Sequence, residues 1–184
     1  MKHLIAIAAL LLLASSARAA SLKNEGFETS DFVGWQPDGE GWRVSLFGRD
    51  SRRGIYGAVN DVWTNGIAEF RVLRQEIKAS PGKAYQASVW IRGVCVEGTE
   101  SFLEIQFMDK KGSVLNQFQS EHVTRDQDFK LEVIDNMTAP DGTDRASVRG
   151  VVHIVTQPTI DTDYHVFDDF DFRPVVVPEN AGQK

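Results

Sequence analysis

Between Tyr85 and Arg92 the chain alternates with a period of two. Tyr85, Ala87, Val89 and Ile91 fall on one side of an extended strand and Gln86, Ser88, Trp90 and Arg92 on the other, so one side reads as core and the other as polar surface. Upstream, Leu73, Gln75 and Ile77 repeat the alternation. Ser80-Pro81-Gly82-Lys83 lies between the two runs and supplies a turn in which proline fixes one dihedral and glycine accepts a positive φ. The pattern predicts two strands that meet around Pro81-Gly82.

The same periodicity predicts a series of short strands along the rest of the chain. From Ser21 to Trp42, Gly26, Gly34, Gly39 and Gly41 break any helical period, which predicts a short strand and a folded loop. Val44 to Phe47 and Tyr56 to Val59 flank the polar turn Arg49 to Gly54, and Asp61 to Gly66 is a loop centred on Trp63. Leu103, Ile105 and Phe107 alternate with Glu104, Gln106 and Met108, and Phe129, Leu131 and Val133 form the next expected inward row. Val148, Val152 and Ile154 then oppose Arg149, Val151, His153 and Val155, and the last strand runs from Tyr164 to Phe172. No helix longer than a couple of turns is expected. Eight or more short strands separated by glycine and proline turns predict an all-β fold, a two-sheet antiparallel β-sandwich or jelly roll.

Composition adds a location and removes some partners. Lys2 and His3 precede the apolar run Leu4 to Ala14, and Ala17-Arg18-Ala19 is a small-x-small cleavage site. Residues 1–19 therefore read as a secretory signal peptide, too short and wrongly flanked to span a membrane. The expected location is secreted or periplasmic, with one domain over residues 20–173 and a proline-punctuated flexible tail over 174–184. Removing Lys2 and Arg18 leaves 18 basic against 26 acidic groups, a poor balance for nucleic acid. Cys95 is the single cysteine, so no intrachain disulfide forms, and it reads as a small packed residue.

In the last strand Asp168 alternates in phase with Val166, Phe170 and Phe172, which places a charge in an apolar row. A lone buried carboxylate is costly unless it is paired or binds a metal. Two readings follow: Asp168 bonds backbone N–H groups, or it binds a hard cation such as calcium, which takes about 6–8 oxygen ligands. Glu28 is the best second ligand and Asp50, in the turn before Gly54, a third. Asp161-Thr162-Asp163 lacks the glycine and closing glutamate of an EF-hand loop and reads as a solvated turn.

Several short motifs occur in a fixed order. These are Asn24-x-Gly26-Phe27-Glu28, Gly34-Trp35, Gln75-x-Ile77, Pro81-Gly82-Lys83-x-Tyr85, Ser88-x-Trp90, Asp109-x-x-Gly112, Ala139-Pro140 and Phe167-Asp168-Asp169-Phe170. Together, from about Leu22 to Arg173, they resemble the carbohydrate-binding modules of the family 4/9/22 type within the galactose-binding-like jelly rolls. The resemblance implies a structural calcium joining the first and last strands, with Glu28 and Asp168 as ligands. It also implies a glycan groove on the concave sheet, lined by aromatic and polar side chains. Such modules are usually fused to a catalytic domain, which this chain does not show, so a separate glycan-active enzyme is an expected partner beside the polysaccharide or oligosaccharide itself.

Sugars stack their C–H faces on aromatic rings and hydrogen-bond to amides, carboxylates and guanidinium groups. Gln86, Trp90 and Arg92 with Ser88 meet that description, Glu104 and Gln106 are expected to extend the row, and His153 is expected on the matching side. Trp63 and Asn65 are expected to overhang from their loop, while Trp35 and Trp42 read as core. HExxH, G-x-S-x-G and phosphate-binding glycine loops are absent from the sequence, and His122, His153 and His165 lack zinc-ligand spacing. The expectation is a non-catalytic glycan-binding module. A structural or adhesive sandwich is the alternative, and a small glycan-cleaving enzyme a more remote one.

Overall fold

The computed structural model describes residues 21–62, 69–94, 98–156 and 163–175. In chain order the strands are β1 (Gln36–Asp38), β2 (Trp42–Ser45), β3 (Gly57–Asp61), β4 (Phe70–Lys78) and β5 (Ala84–Val94), then β6 (Thr99–Met108), β7 (Val114–Gln119), β8 (Gln127–Thr138), β9 (Arg145–Ile154) and β10 (Tyr164–Pro174). They form two five-stranded sheets, the first ordered β1-β4-β9-β6-β7 and the second β2-β3-β10-β5-β8. All pairings are antiparallel. This is a β-sandwich of the jelly-roll kind, as the alternation predicts. Leu73, Ile105, Phe107, Val148 and Val152 from the first sheet meet Ala87, Val89, Ile91 and Phe167 from the second in one buried core, where each sheet's apolar side is removed from water.

The N-terminal segment closes one side of this core. Phe27 is fully buried and packs its ring against Phe32, Trp35 and Phe170 with centroids 5.6–6.1 Å apart. The Trp35 indole N–H donates to the Lys23 and Asn24 carbonyls at 3.0 and 3.1 Å, which satisfies its polar tip. Trp42 is half-buried against Phe167. Both tryptophans therefore pack with the core.

Three expectations are corrected. The Pro81-Gly82 turn does not join a pair: β4 pairs with β1 and β9, whereas β5 pairs with β10 and β8, so the turn carries the chain from one sheet to the other. In β8 the inward row is Glu132, Ile134 and Met137, not Phe129, Leu131 and Val133. Leu131 lies opposite Trp90 and Val133 opposite Ser88 on the outer face, because the inward side of β5 is fixed by Val89 and that residue faces Glu132. In β10 the register shifts between Asp168 and Asp171, with Asp169 at φ 51°. This bulge inserts a residue and reverses the phase, so Phe170 and Phe172 point inward and Asp168 outward.

The leader 1–19, Trp63, Asn65, Cys95, Asp161, Thr162 and the tail from residue 176 lie outside the described residues. No described helix is long and apolar enough to cross a membrane.

Candidate functional site

The sandwich has two outer faces, and it divides the expected binding residues between them. Glu104, Gln106 and His153 stand on the first sheet, while Gln86, Trp90 and Arg92 stand on the second. The single groove read from the sequence is thus two surfaces on opposite sides of the core. Alternation tells in from out on a strand and carries no information on which sheet the strand joins.

On the first sheet, neighbouring strands bring side chains into rows. Phe70, His153 and Glu100 align across β4, β9 and β6. Phe70 is 61 % exposed and lies flat on the His153 imidazole, 4.0 Å between centroids and 7° from parallel. Glu100 binds two imidazoles: His153 Nδ1 lies 2.8 Å from one carboxylate oxygen and His122 Nδ1 3.0 Å from the other. An ionised carboxylate only accepts, so each Nδ1 carries the proton. His122 in turn stacks on Phe102 at 4.0 Å and 8°. Burial pushes the Glu100 carboxyl up, the hydrogen bonds from His153 and His122 outweigh it, and the group stays below the usual carboxylate range.

Four residues along, Arg74, Arg149, Glu104 and Gln119 form another row. The buried Glu104 carboxylate accepts from the Arg149 guanidinium, from Gln119 Nε2 at 2.7 Å and from Gln106 Nε2 at 3.0 Å. Charge-assisted bonds of this kind fix side-chain positions before a ligand arrives. Phe70, Glu100, His122 and Arg149 were not singled out as site residues from sequence. The outward phase of β4, read from Phe70 through Arg74, and the alternation of Arg149 with His153 carried the available signal.

On the second sheet, Trp90 is half-buried and the Arg52 guanidinium covers its ring, 3.9 Å from the centroid. Arg52 also pairs with Asp169 at 3.0 Å. Arg92 donates to the Arg49 carbonyl, and Gln86 faces Arg173 at 3.5 Å. Between the Gly48–Arg52 loop and the start of β8 lies a depression of about 890 Å³, bordered by Trp90, Arg92 and Phe129.

Asp168 belongs to this outer face, opposite Trp90, and is shielded completely by the loop above it. Its Oδ2 accepts from the Arg52 and Arg53 backbone N–H groups at 2.8 and 3.2 Å, and its Oδ1 from Asp169 N at 2.8 Å. Burial pushes its carboxyl up to about 6 against the opposing pull of the Arg52 and Arg53 amides. Glu28 accepts from Ile55 N and Tyr56 N, each at 3.1 Å. Both carboxylates thus hold backbone of the 52–56 loop, the first of the two roles foreseen for Asp168.

A side chain at Gly26 would put its Cβ 3.5 Å from Asp168 Oδ1 and 3.4 Å from Asp169 Oδ1, and 4.0 Å from Glu28 Cγ. The space above Gly26 is therefore faced by oxygens of two carboxylates, a donor set that fits a hard cation. Asp50 does not complete it. It is buried, accepts from Ser45 Oγ at 2.7 Å and lies 3.9 Å from both Arg49 and Arg92. Among the described residues no three His, Cys, Asp or Glu side chains form a metal-holding group, which corrects the expected trio of Glu28, Asp50 and Asp168.

No family model and no curated protein sequence matches the chain. Solved structures do. The chain is similar to the enzymatically active domain of tailspike protein 4 of bacteriophage CBA120, with 15 % identity, TM-score 0.66, 84 % of this chain and 21 % of that chain covered. It thus spans about a fifth of that tailspike domain. It is similar to TmCBM61, solved with β-1,4-galactotriose, with 23 % identity, TM-score 0.61 and coverage of 84 % and 97 %. A third is the CBM22-1 xylan-binding domain of Paenibacillus barcinonensis Xyn10C, with 15 % identity, TM-score 0.59 and coverage of 86 % and 97 %. The chain therefore shares the β-sandwich fold of these structures.

Proposed function

We propose that this chain is an exported, non-catalytic glycan-binding module whose saccharide lies along the outer face of the first sheet. The observation that carries this is the Phe70–His153 stack, an exposed ring on an imidazole that Glu100 holds from the next strand, with the Arg149–Glu104 row four residues along the same face. A pyranose offers just these two surfaces, a C–H face for a ring and hydroxyls for charged and amide groups. Burying both together gives affinity and orientation. The apolar leader supports export, and the galactotriose and xylan named for two similar structures support a polysaccharide or oligosaccharide as partner. A separate glycan-active enzyme is the further partner in this reading.

The proposal includes a structural calcium above Gly26, held by Asp168 with Glu28 beside it. The ion would neutralise a buried carboxylate and tie the N-terminal segment to β10, where Phe170 N already donates to the Glu25 carbonyl at 3.1 Å.

Glycan cleavage is less well supported. Glu100 and Glu104 share an outer face of one strand, and four residues of strand rise separate them by about 13 Å, more than the roughly 5–9.5 Å between the carboxyl pairs of glycosidases. A glycan array screened with and without a calcium chelator tests the reading. Binding to a defined glycan class that Phe70→Ala weakens is the expected result, and no binding to any glycan rejects it.

A further inference from the structure

Two imidazoles on the first-sheet face are each fixed twice. Ser101 N donates to the Val123 carbonyl at 3.1 Å and Val123 N to the Ser101 carbonyl at 2.8 Å, which clamps the segment before β8 onto β6 and sets His122 over Phe102. A phenyl ring thus holds one flat side of each imidazole, Phe70 for His153 and Phe102 for His122, while each Nδ1 sits on its own oxygen of Glu100. Both carboxylate oxygens are taken up. What each ring has left for a ligand is Nε2: the His153 and His122 side chains are 24 % and 33 % exposed, neither Nε2 is buried, and neither has a hydrogen-bond partner among the described residues. In a neutral imidazole one nitrogen donates and the other accepts, so the bond made by Nδ1 sets the role of Nε2. With both Nδ1–H groups committed to Glu100, both Nε2 atoms present lone pairs. Among the described residues no lysine or arginine pairs with Glu100. Arg74 and Arg149, the next charges along β4 and β9, stand four residues of strand rise away, roughly 13 Å.

We propose that Glu100 is the positioning residue that sets the hydrogen-bond polarity of this end of the face, so that it takes a saccharide through donating hydroxyl or amide N–H groups and turns away anionic oxygens. This rests on the glycan-binding reading above and adds a rule for which units are accepted beside Phe70. A hydroxyl turns its proton towards Nε2. A sulfate or carboxylate oxygen has no proton to turn, and meets two lone pairs beside a negative charge. The rule reverses on acidification. Protonated imidazoles donate from both nitrogens, Glu100 stays ionised because its carboxyl lies below the usual carboxylate range, and the cluster passes from net negative to net positive with both Nε2–H groups outward. Glu100 is the charged group that meets both imidazoles. On β4 and just before it, Glu69 is turned to Arg71, and before β8 Glu121 is turned to Lys130.

Two-bond 1H–15N correlation spectra of the 15N-labelled full mature chain at about pH 8, above the ordinary imidazole range, read the tautomers directly, with His122→Gln and His153→Gln assigning the signals. Both rings are expected as Nδ1–H. In Glu100→Gln the amide oxygen accepts from one ring and only N–H is left for the other, so one imidazole should change to Nε2–H. A wild-type ring in the Nε2–H form, or two unchanged rings in Glu100→Gln, overturns the proposal. Titration calorimetry then compares β-1,4-galactotriose with the same trisaccharide carrying sulfate esters. Sulfation is expected to weaken binding at least about tenfold at about pH 8, and less than about threefold at about pH 5.5 or in Glu100→Gln. An equal penalty in all three cases also overturns the proposal. The pH comparison uses the wild type alone, so it decides the matter even where Glu100→Gln does not fold, and Asp168, which titrates near the same pH, lies on the opposite sheet. Failure of both trisaccharides to bind at either pH counts against the glycan reading of the face, whereas the spectra by themselves decide whether Glu100 sets the tautomers.

Discussion

Phe70 and His153 stack ring on ring at 4.0 Å across the β4–β9 pair, with Phe70 facing solvent and His153 fixed from behind by Glu100. An exposed phenyl ring costs little to remove from the fold and much from a ligand that stacks on it. Phe70→Ala is therefore expected to weaken glycan binding about tenfold, equivalent to about 1.4 kcal/mol. Its denaturation midpoint should remain close to wild type. Titration calorimetry beside a urea melt checks both, and a large loss of stability with intact binding would assign the ring to packing.

Arg149→Ala removes the cation from the buried Glu104 while leaving its two amide partners, Gln106 and Gln119. An uncompensated carboxylate near the surface of the sheet is expected to cost roughly 3 kcal/mol. The double variant Glu104→Gln with Arg149→Ala should recover part of that loss, since the stranded charge is gone. A cycle of chemical melts over the four proteins measures this, and strict additivity would show the pair uncoupled.

Calcium should raise the melting temperature of the wild type, and chelation should lower it by several degrees, as expected for a ligand bound only by the folded state. Asp168→Asn should lose that response, and Glu28→Gln should weaken it. Scanning calorimetry at fixed pH reads the shift. Identical melts in calcium and in chelator would leave Asp168 and Glu28 with their loop-holding hydrogen bonds alone.

His165 is fully buried on the inward side of β10, with Nε2 2.9 Å from Thr99 Oγ1, and burial drives its pKa from the ordinary 6.5 to about 3. The folded chain keeps this imidazole neutral while the unfolded chain protonates it. Its contribution to stability is complete above about pH 6.5 and is lost as pH falls towards 3, by up to about 1.4 kcal/mol per pH unit. Urea melts of wild type and His165→Gln between pH 7 and 4 should converge on acidification. Parallel curves would mean the imidazole is not held neutral. Taking the difference between the two proteins cancels the other groups that titrate in the same range.

The sequence by itself determined that this is an all-β sandwich and, for most strands, which residues are buried: Leu73, the alternate residues from Tyr85 to Ile91 and those from Leu103 to Phe107 lie where the alternation puts them, and Trp35 is in the core as read. Alternation works there because a strand's two sides differ in solvent exposure whatever its neighbours are. Only the tertiary structure decided which sheet each strand joins, so the row of Trp90 and Arg92 and the row of Glu104 and His153 came out on opposite faces. It also decided the phase after each irregularity. The bulge around Asp169 turned Asp168 outward, and pairing with Val89 sent Glu132 rather than Leu131 inward. Pairing and bulges are long-range choices, settled by the packing energy of the whole sandwich, and a local period of two contains neither.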